Sequence, residues 1–263
     1  MSNQASLGQI SFAGEDGVAF VTLDHGGKYN AMSRQMWRQL REVFTRIQAG
    51  AEWRCVLVRG QAGHFCAGGD ISEYPAFRFD AESLRAFHED DVWGGLGAML
   101  ACDVPIVAAI EGNCMGAGVE IASCCDIRVA ARSAKFGAPI ARLGFPMAPR
   151  EAELVARVAG EATAREMLLE AAVLDAAEMK ARGFLNAMLD ESELMPQAQA
   201  RAWRIAKLAP QAARLNKQTL RALAAPSQPA VEKLLPDAYT YADSLEHREG
   251  ISAFLSKRVP QFD

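Results

Sequence analysis

Histidine is scarce: the chain holds four in 263 residues, at His25, His64, His88 and His247. None stands at the short spacing that metal sites use, so zinc chemistry is not expected. Six cysteines occur, Cys55, Cys66, Cys102, Cys114, Cys124 and Cys125, but no two form a CxxC pair. Most lie in apolar segments, which marks buried, reduced thiols. Charge of one sign is also lacking: 28 basic residues face 32 acidic ones, for a net charge of −4. That balance leaves no nucleic-acid footprint. A long apolar run is absent too. The stretch from Val92 to Cys125 is broken by Asp103, Pro105 and Glu111, so it is not a spanning helix. The opening MSNQASLGQI lacks the charged-then-apolar order of a signal peptide. A cytoplasmic protein without a membrane partner is expected. No internal repeat or low-complexity tract stands out.

Half of the residues are hydrophobic, enough for a substantial core. The first half alternates strand-like and helix-like runs. Gln9–Phe12 and Val18–Leu23 read as a hairpin around the turn Gly14-Glu15-Asp16-Gly17. Ser33 is a cap before the amphipathic segment Arg34–Gln48. Cys55–Val58, Ile106–Ile110 and Ile127–Ala130 read as short buried strands, and Asp80–Leu100 as a helix containing Gly94, Gly95 and Gly97. This alternation predicts α/β architecture. After about residue 148, Ala and Leu dominate. Helices are predicted over 149–159, 161–171, 175–182, 194–208, 210–224, 229–244 and 246–257.

Two glycine-rich loops carry the chemistry. The segment 112–120 reads GNCMGAGVE, after the strand-like Pro105–Ile110 and before a helix start at Val119–Cys125. Gly116, Ala117 and Gly118 let a ligand approach the backbone closely. The first amides of a helix have no internal partner and sit at its positive end, so they can stabilise an oxygen that becomes negative. Glu120 follows Ala117 by three residues and shares its helix face. An oxyanion donor and a carboxylate then point at one spot, as proton transfer beside a carbonyl requires. The other loop, Gly63–Ile71, follows a strand. It lacks the Gly-Lys-Ser/Thr ending of a phosphate loop and is not GxGxxG; alone it reads as a sharp turn.

Together these loops bring a family into view. FCAGGDI at 65–71 and IEGNCMGAGVEIASCCDIRVA at 110–130 resemble the two signatures of the enoyl-CoA hydratase/isomerase (crotonase) family. KYNAMS at 28–33, FGAPIARLGFP at 136–146, ARGFLN at 181–186 and EGISAFLSKRVPQF at 249–262 are similar to further family segments, in order along the chain. No serine–histidine–aspartate set suggests the proteolytic relatives of this fold.

The resemblance implies a crotonase-like ββα spiral core over 1–195. It implies a helical region over 196–263 that serves trimerisation and caps the coenzyme. It implies an acyl-CoA thioester as ligand, no further cofactor, and a homotrimer or a dimer of trimers. By position, the amides of Gly69 and Ala117 form an oxyanion hole and Glu120 is a catalytic carboxylate. Ala67, Asp70 and Ile71 line the nucleotide or the pantetheine arm, and Gly116 binds the substrate or its coenzyme. Lys28 and Ala31 lie near the adenine, and Phe254 and Lys257 close over the coenzyme.

One position departs from the family. Residue 140, where the PExxLG segment normally holds a second glutamate, is Ile140. Isoleucine neither gives nor takes a proton, so a single-glutamate site is expected, with ordinary enoyl-CoA hydration impaired. His64, Asp70, Glu73, Tyr74, Glu151 and Glu153 could compensate, but each reads as solvated or structural. Arg142 could receive a second carboxylate on the substrate, against the plainer reading of a surface arginine. Phe77, Phe87, Trp93, Met99 and Phe145 are candidate acyl-pocket walls, though each reads more readily as simple core. Hydratase-type (lyase) chemistry through a thioester enolate is the leading expectation. Enoyl-CoA isomerisation and decarboxylation of a malonyl-type CoA are the alternatives. A non-catalytic CoA-thioester-binding protein is the reading from another class.

Overall fold

The computed structural model describes residues 8–224, and beyond them residues 245, 249, 253, 256, 258, 259 and 261. The expected helix over 229–244, most of that over 246–257, and both Phe254 and Lys257 lie outside the described residues.

Nine strands form among the described residues: β1 Gln9–Glu15, β2 Val18–Asp24, β3 Cys55–Gly60, β4 Ile106–Ile110, β5 Asn113–Met115, β6 Ile127–Ala131, β7 Lys135–Gly137, β8 Val173–Asp175 and β9 Ala187–Leu189. The α-helices are α1 Arg34–Ala49, α2 Ala81–Ala86, α3 Trp93–Ala101, α4 Ala117–Ser123, α5 Pro149–Ala159, α6 Glu161–Leu169, α7 Ala176–Ala181, α8 Glu191–Ala206 and α9 Pro210–Leu223. Six strands form one sheet in the order β1-β2-β3-β4-β6-β9, and three form a second in the order β5-β7-β8. Within the larger sheet only β1 and β2 pair antiparallel; the other pairings are parallel.

The hairpin is tighter than the sequence suggests. Glu15 pairs with Val18, which leaves Asp16-Gly17 as a two-residue turn with both φ angles positive. That is the turn whose twist suits paired strands. After the hairpin, consecutive strands diverge: β4 and β6 join the larger sheet while β5 and β7 join the smaller. The chain turns sharply at each divergence, and the glycine-rich segment between β4 and α4 is one of these corners.

Both faces of the larger sheet are covered, as parallel sheets require. On β2, Ala19, Val21 and Leu23 point into a core with Trp37, Leu40 and Phe44 of α1. Val18 and Phe20 point the other way, against Leu194, Ala198, Ala202 and Ala206 of α8. The four-residue spacing of the alanines gives α8 a narrow face that sits close to the strands. The boundary expected at 195/196 falls inside α8. Ser33 caps α1 as expected, its hydroxyl accepting from Met36 N at 3.2 Å. Ser33→Ala is expected to cost about 1 kcal/mol of stability, read as a lower urea midpoint with unchanged slope.

The helix expected over Asp80–Leu100 forms with an interruption. Between α2 and α3 the backbone widens into a π turn over Phe87–Val92. Such widenings insert one residue and are frequent at functional sites. Here Asp91 of the turn is buried and bound by Arg34 Nε at 2.6 Å and Arg38 Nε at 2.7 Å, both from α1. These two ion pairs hold the widened segment against α1.

Candidate active site

Strands β3 and β4 are parallel neighbours, so their C-terminal ends open on one side of the sheet, where α/β ligands bind. The loop after β3 and the corner after β4 are laced together there. Cys66 N donates to Asn113 O and Met115 N donates to Cys66 O, each at 2.8 Å. Two glycines turn the backbone at the decisive points. Gly68 has φ +115° and Gly116 has φ +47°, a region that other L-residues rarely enter. Each precedes an amide at the cavity wall, Gly69 and Ala117 respectively. Ala117 opens α4, so its amide comes before any carbonyl the helix could offer. Among the described residues, neither the Gly69 nor the Ala117 amide donates to another protein group.

These amides border a cavity of about 250 Å³ that Trp37, Phe87, Leu143, Phe145 and Met147 help to make apolar. Glu120, one turn into α4, lines it. Its side chain has no hydrogen-bond partner among the described residues. Burial, with a smaller contribution from the charge of Glu151, pushes its pKa up to about 8. At neutral pH the group is therefore mostly a neutral acid that can give up a proton.

Of the residues expected at the site, Ala67, Gly69, Ile71, Gly116, Ala117 and Glu120 come together around this cavity. Lys28, Ala31 and Asp70 are not part of its wall. Asp70 caps a 3-10 turn over Ile71–Ala76, accepting from Ser72 N at 3.1 Å and Ser72 Oγ at 2.7 Å. Its second oxygen takes Lys28 Nζ at 2.7 Å. Burial raises the Asp70 pKa, but the bonds from Lys28 and Ser72 outweigh it and the net shift is downward. Glu73 accepts from the Arg34 amide at 2.8 Å, and His64 Nδ1 accepts from the Asn113 amide at 3.2 Å. Those two side chains brace the loops, as their structural reading expects.

Arg142 is exposed and donates to Ala171 O at 3.0 Å; it is not part of the cavity wall. The cation that does line the cavity is Arg78. Its guanidinium lies 3.7 Å from the centre of the Phe145 ring and 4.6 Å from that of Tyr74. No carboxylate pairs with it among the described residues. Phe87 and Phe145 are walls, whereas Phe77, Trp93 and Met99 are not.

The expectation of a lone carboxylate needs correction. Ile140 lines the cavity, and so does Glu151, whose expected place was in solvent or in a structural role. Glu151 is buried, on the same face of α5 as Leu154, Val155 and Ala159. That placement was its only sequence signal: a carboxylate at the start of an apolar stripe. His88 of the π turn also lines the cavity, with its Nδ1 3.1 Å from Glu151 Oε1. Among the described residues no group of three His, Cys, Asp or Glu side chains is placed to hold a metal ion. None of the described helices is long and apolar enough to cross a membrane.

Comparison with known proteins gives the family. The family model described as enoyl-CoA hydratase/isomerase matches residues 13–263. A solved structure described as an enoyl-CoA hydratase/carnithine racemase from Magnetospirillum magneticum superposes with a TM-score of 0.92 at 38% identity, covering 97% of this chain and 95% of the other. A Bacillus subtilis (strain 168) protein described as "Probable enoyl-CoA hydratase" is 30% identical over 97% of this chain and 99% of its own length. The crotonyl-CoA hydratase of Syntrophomonas wolfei is 27% identical over 94% of this chain and 95% of its own. Matched over residues 13–263 by the family model, the chain belongs to the enoyl-CoA hydratase/isomerase (crotonase) family and is an enzyme of that family.

Proposed function

We propose that the protein hydrates the double bond of a 2-enoyl-CoA thioester, a lyase reaction run in the addition direction. The observation that carries this is the convergence of two unclaimed amides and a neutral, buried carboxyl on one apolar cavity. The thioester oxygen accepts from the Gly69 and Ala117 amides. The water oxygen bonds to C3 as one of its O–H bonds breaks and that proton leaves to solvent, while the C2=C3 electron pair shifts toward the thioester oxygen, giving an enolate. Glu120 then delivers its proton to C2. The amides stabilise the enolate more than the ground-state carbonyl, which is what lowers the barrier. Ala67, Ile71 and Gly116 border the thioester end, and the Lys28–Asp70 pair beside them faces the coenzyme arm. Coenzyme A enters as part of the substrate. Exposed Leu220 and Leu223 on α9 suit association of copies, in keeping with a trimer or a pair of trimers.

The test is turnover of crotonyl-CoA by the purified protein, followed as loss of the conjugated enoyl-thioester absorbance. Rapid loss is expected. Saturable binding of the ester with no loss rejects short-chain hydration.

Arg78 favours a second reading. Arg78 is only partly buried, yet its charge borders an apolar wall without an anion, and a carboxylate on the acyl group would pair with it. Decarboxylation of a malonyl-type CoA fits that complement: carbon dioxide leaves, the amides hold the enolate, and Glu120 protonates C2. Release of carbon dioxide from malonyl-CoA or methylmalonyl-CoA, lost on Arg78→Met, would favour this reading over hydration.

A further inference from the structure

We propose that Glu151, held by His88, is the second acid–base carboxylate of this cavity and takes over the task that Ile140 cannot perform. The proposal rests on the enolate reading above and deepens it.

The geometry has three parts. Ile140, Glu120 and Glu151 line the same cavity, so a carboxylate lost from the segment after β7 has a counterpart on α5, which packs on α4. Glu151 is buried, and a buried carboxylate is rare without a partner. The partner here is a cavity-lining imidazole rather than a lysine or arginine. Its Nδ1 lies 3.1 Å from Glu151 Oε1, within hydrogen-bond reach. Finally, the placement of that ring is heavily determined. The π turn that carries His88 is clamped to α1 by Asp91. It also meets the start of α5 through a solvent-exposed pair, with Arg150 Nη1 2.9 Å from Glu89 Oε2. Glu151 follows Arg150 directly, so the turn meets α5 at two adjacent residues. A continuous α-helix through Phe87–Val92 would lack the added residue that lets His88 and Asp91 reach partners on different helices.

In hydration the two carboxyls divide the work. Glu151 takes a proton from the attacking water as its oxygen bonds to C3. Glu120 gives its own proton to C2. Water is consumed and no proton is gained or lost overall. Glu151 then gives its extra proton back to solvent, and Glu120 is reprotonated from solvent. His88 acts as a positioning residue for Glu151.

The experiment compares the parent with Glu151→Gln, an isosteric change, on crotonyl-CoA. In parallel, the parent is incubated with butyryl-CoA in deuterium oxide, and exchange at C2 is read by mass spectrometry. Exchange needs the amides and Glu120 and reports the enolate alone. The expected result is that kcat for hydration falls about 10²–10⁴-fold in Glu151→Gln while KM stays within threefold. Adding Ile140→Glu to Glu151→Gln is expected to restore at least tenfold, which a purely structural role for Glu151 would not do. If the parent exchanges and hydrates but Glu151→Gln hydrates within threefold of it, this inference falls and the enolate reading stands. A parent that does neither overturns both.

Discussion

Glu120→Gln is expected to lower kcat for acyl-CoA turnover by about 10²–10⁴-fold, the range for losing one general acid or base. Glutamine fills the same volume and cannot transfer the proton. The pH profile of the parent follows from the same residue. Proton delivery needs the neutral form, and the pKa of Glu120 stands at about 8. Turnover in the hydration direction is therefore expected to fall as pH rises through about 8. Stability follows the same group with a definite sign. In the unfolded chain the carboxyl ionises near 4.5; in the folded chain burial delays this to about 8. Between those values the folded state binds more protons, so stability falls as pH rises across that window and stays low above it. Glu120→Gln removes this loss. The variant is expected to be more stable than the parent by several kcal/mol at pH 9 and nearly equal to it at pH 4. Thermal midpoints across that pH range, read beside turnover, check both parts. A variant that loses activity without the alkaline gain would place the carboxyl in solvent rather than in the cavity wall.

Ala117→Pro is expected to cost about 10²–10³-fold in kcat, the range for removing one oxyanion donor. Side-chain substitution cannot delete a backbone amide, but proline can. Ala117 is the first residue of α4, where proline is well tolerated because the missing N–H serves no helical bond. The helix should persist while one of the two donors disappears. The measurement pairs kcat with circular dichroism and with the dissociation constant for a saturated acyl-CoA. A fall in kcat with folding and binding retained assigns the amide to the transition state. Unchanged kcat would mean that the thioester oxygen lies elsewhere.

The two loops were legible in the sequence because their physics is local. Glycine at 68 and 116 answers a backbone angle, and strand–loop–helix order answers the sheet. Glu120 was legible because three residues separate it from Ala117. Glu151 was not, although its helix was predicted over 149–159 and forms over Pro149–Ala159. Which carboxylate of α5 turns inward depends on what α5 packs against. That in turn depends on His88, sixty-three residues earlier. The π turn escaped for the same reason. Its extra residue is fixed by Arg34 and Arg38 from another helix, and no periodicity within Asp80–Leu100 records it. The short strands β5, β7, β8 and β9 have three residues each, too few to display an alternation. They form because the corners around them deliver their backbones to one another.

All six cysteines of the chain are buried, and burial raises the pKa of Cys55, Cys66 and Cys125 to about 12. Thiolate is the reactive form, so the folded protein is expected to react slowly with maleimides and iodoacetamides without any residue being removed. Phe79 is nearly fully exposed one residue beyond Arg78. A cysteine placed there would be the one thiol that a dye could reach, and it would report on the loop that borders the acyl end of the cavity.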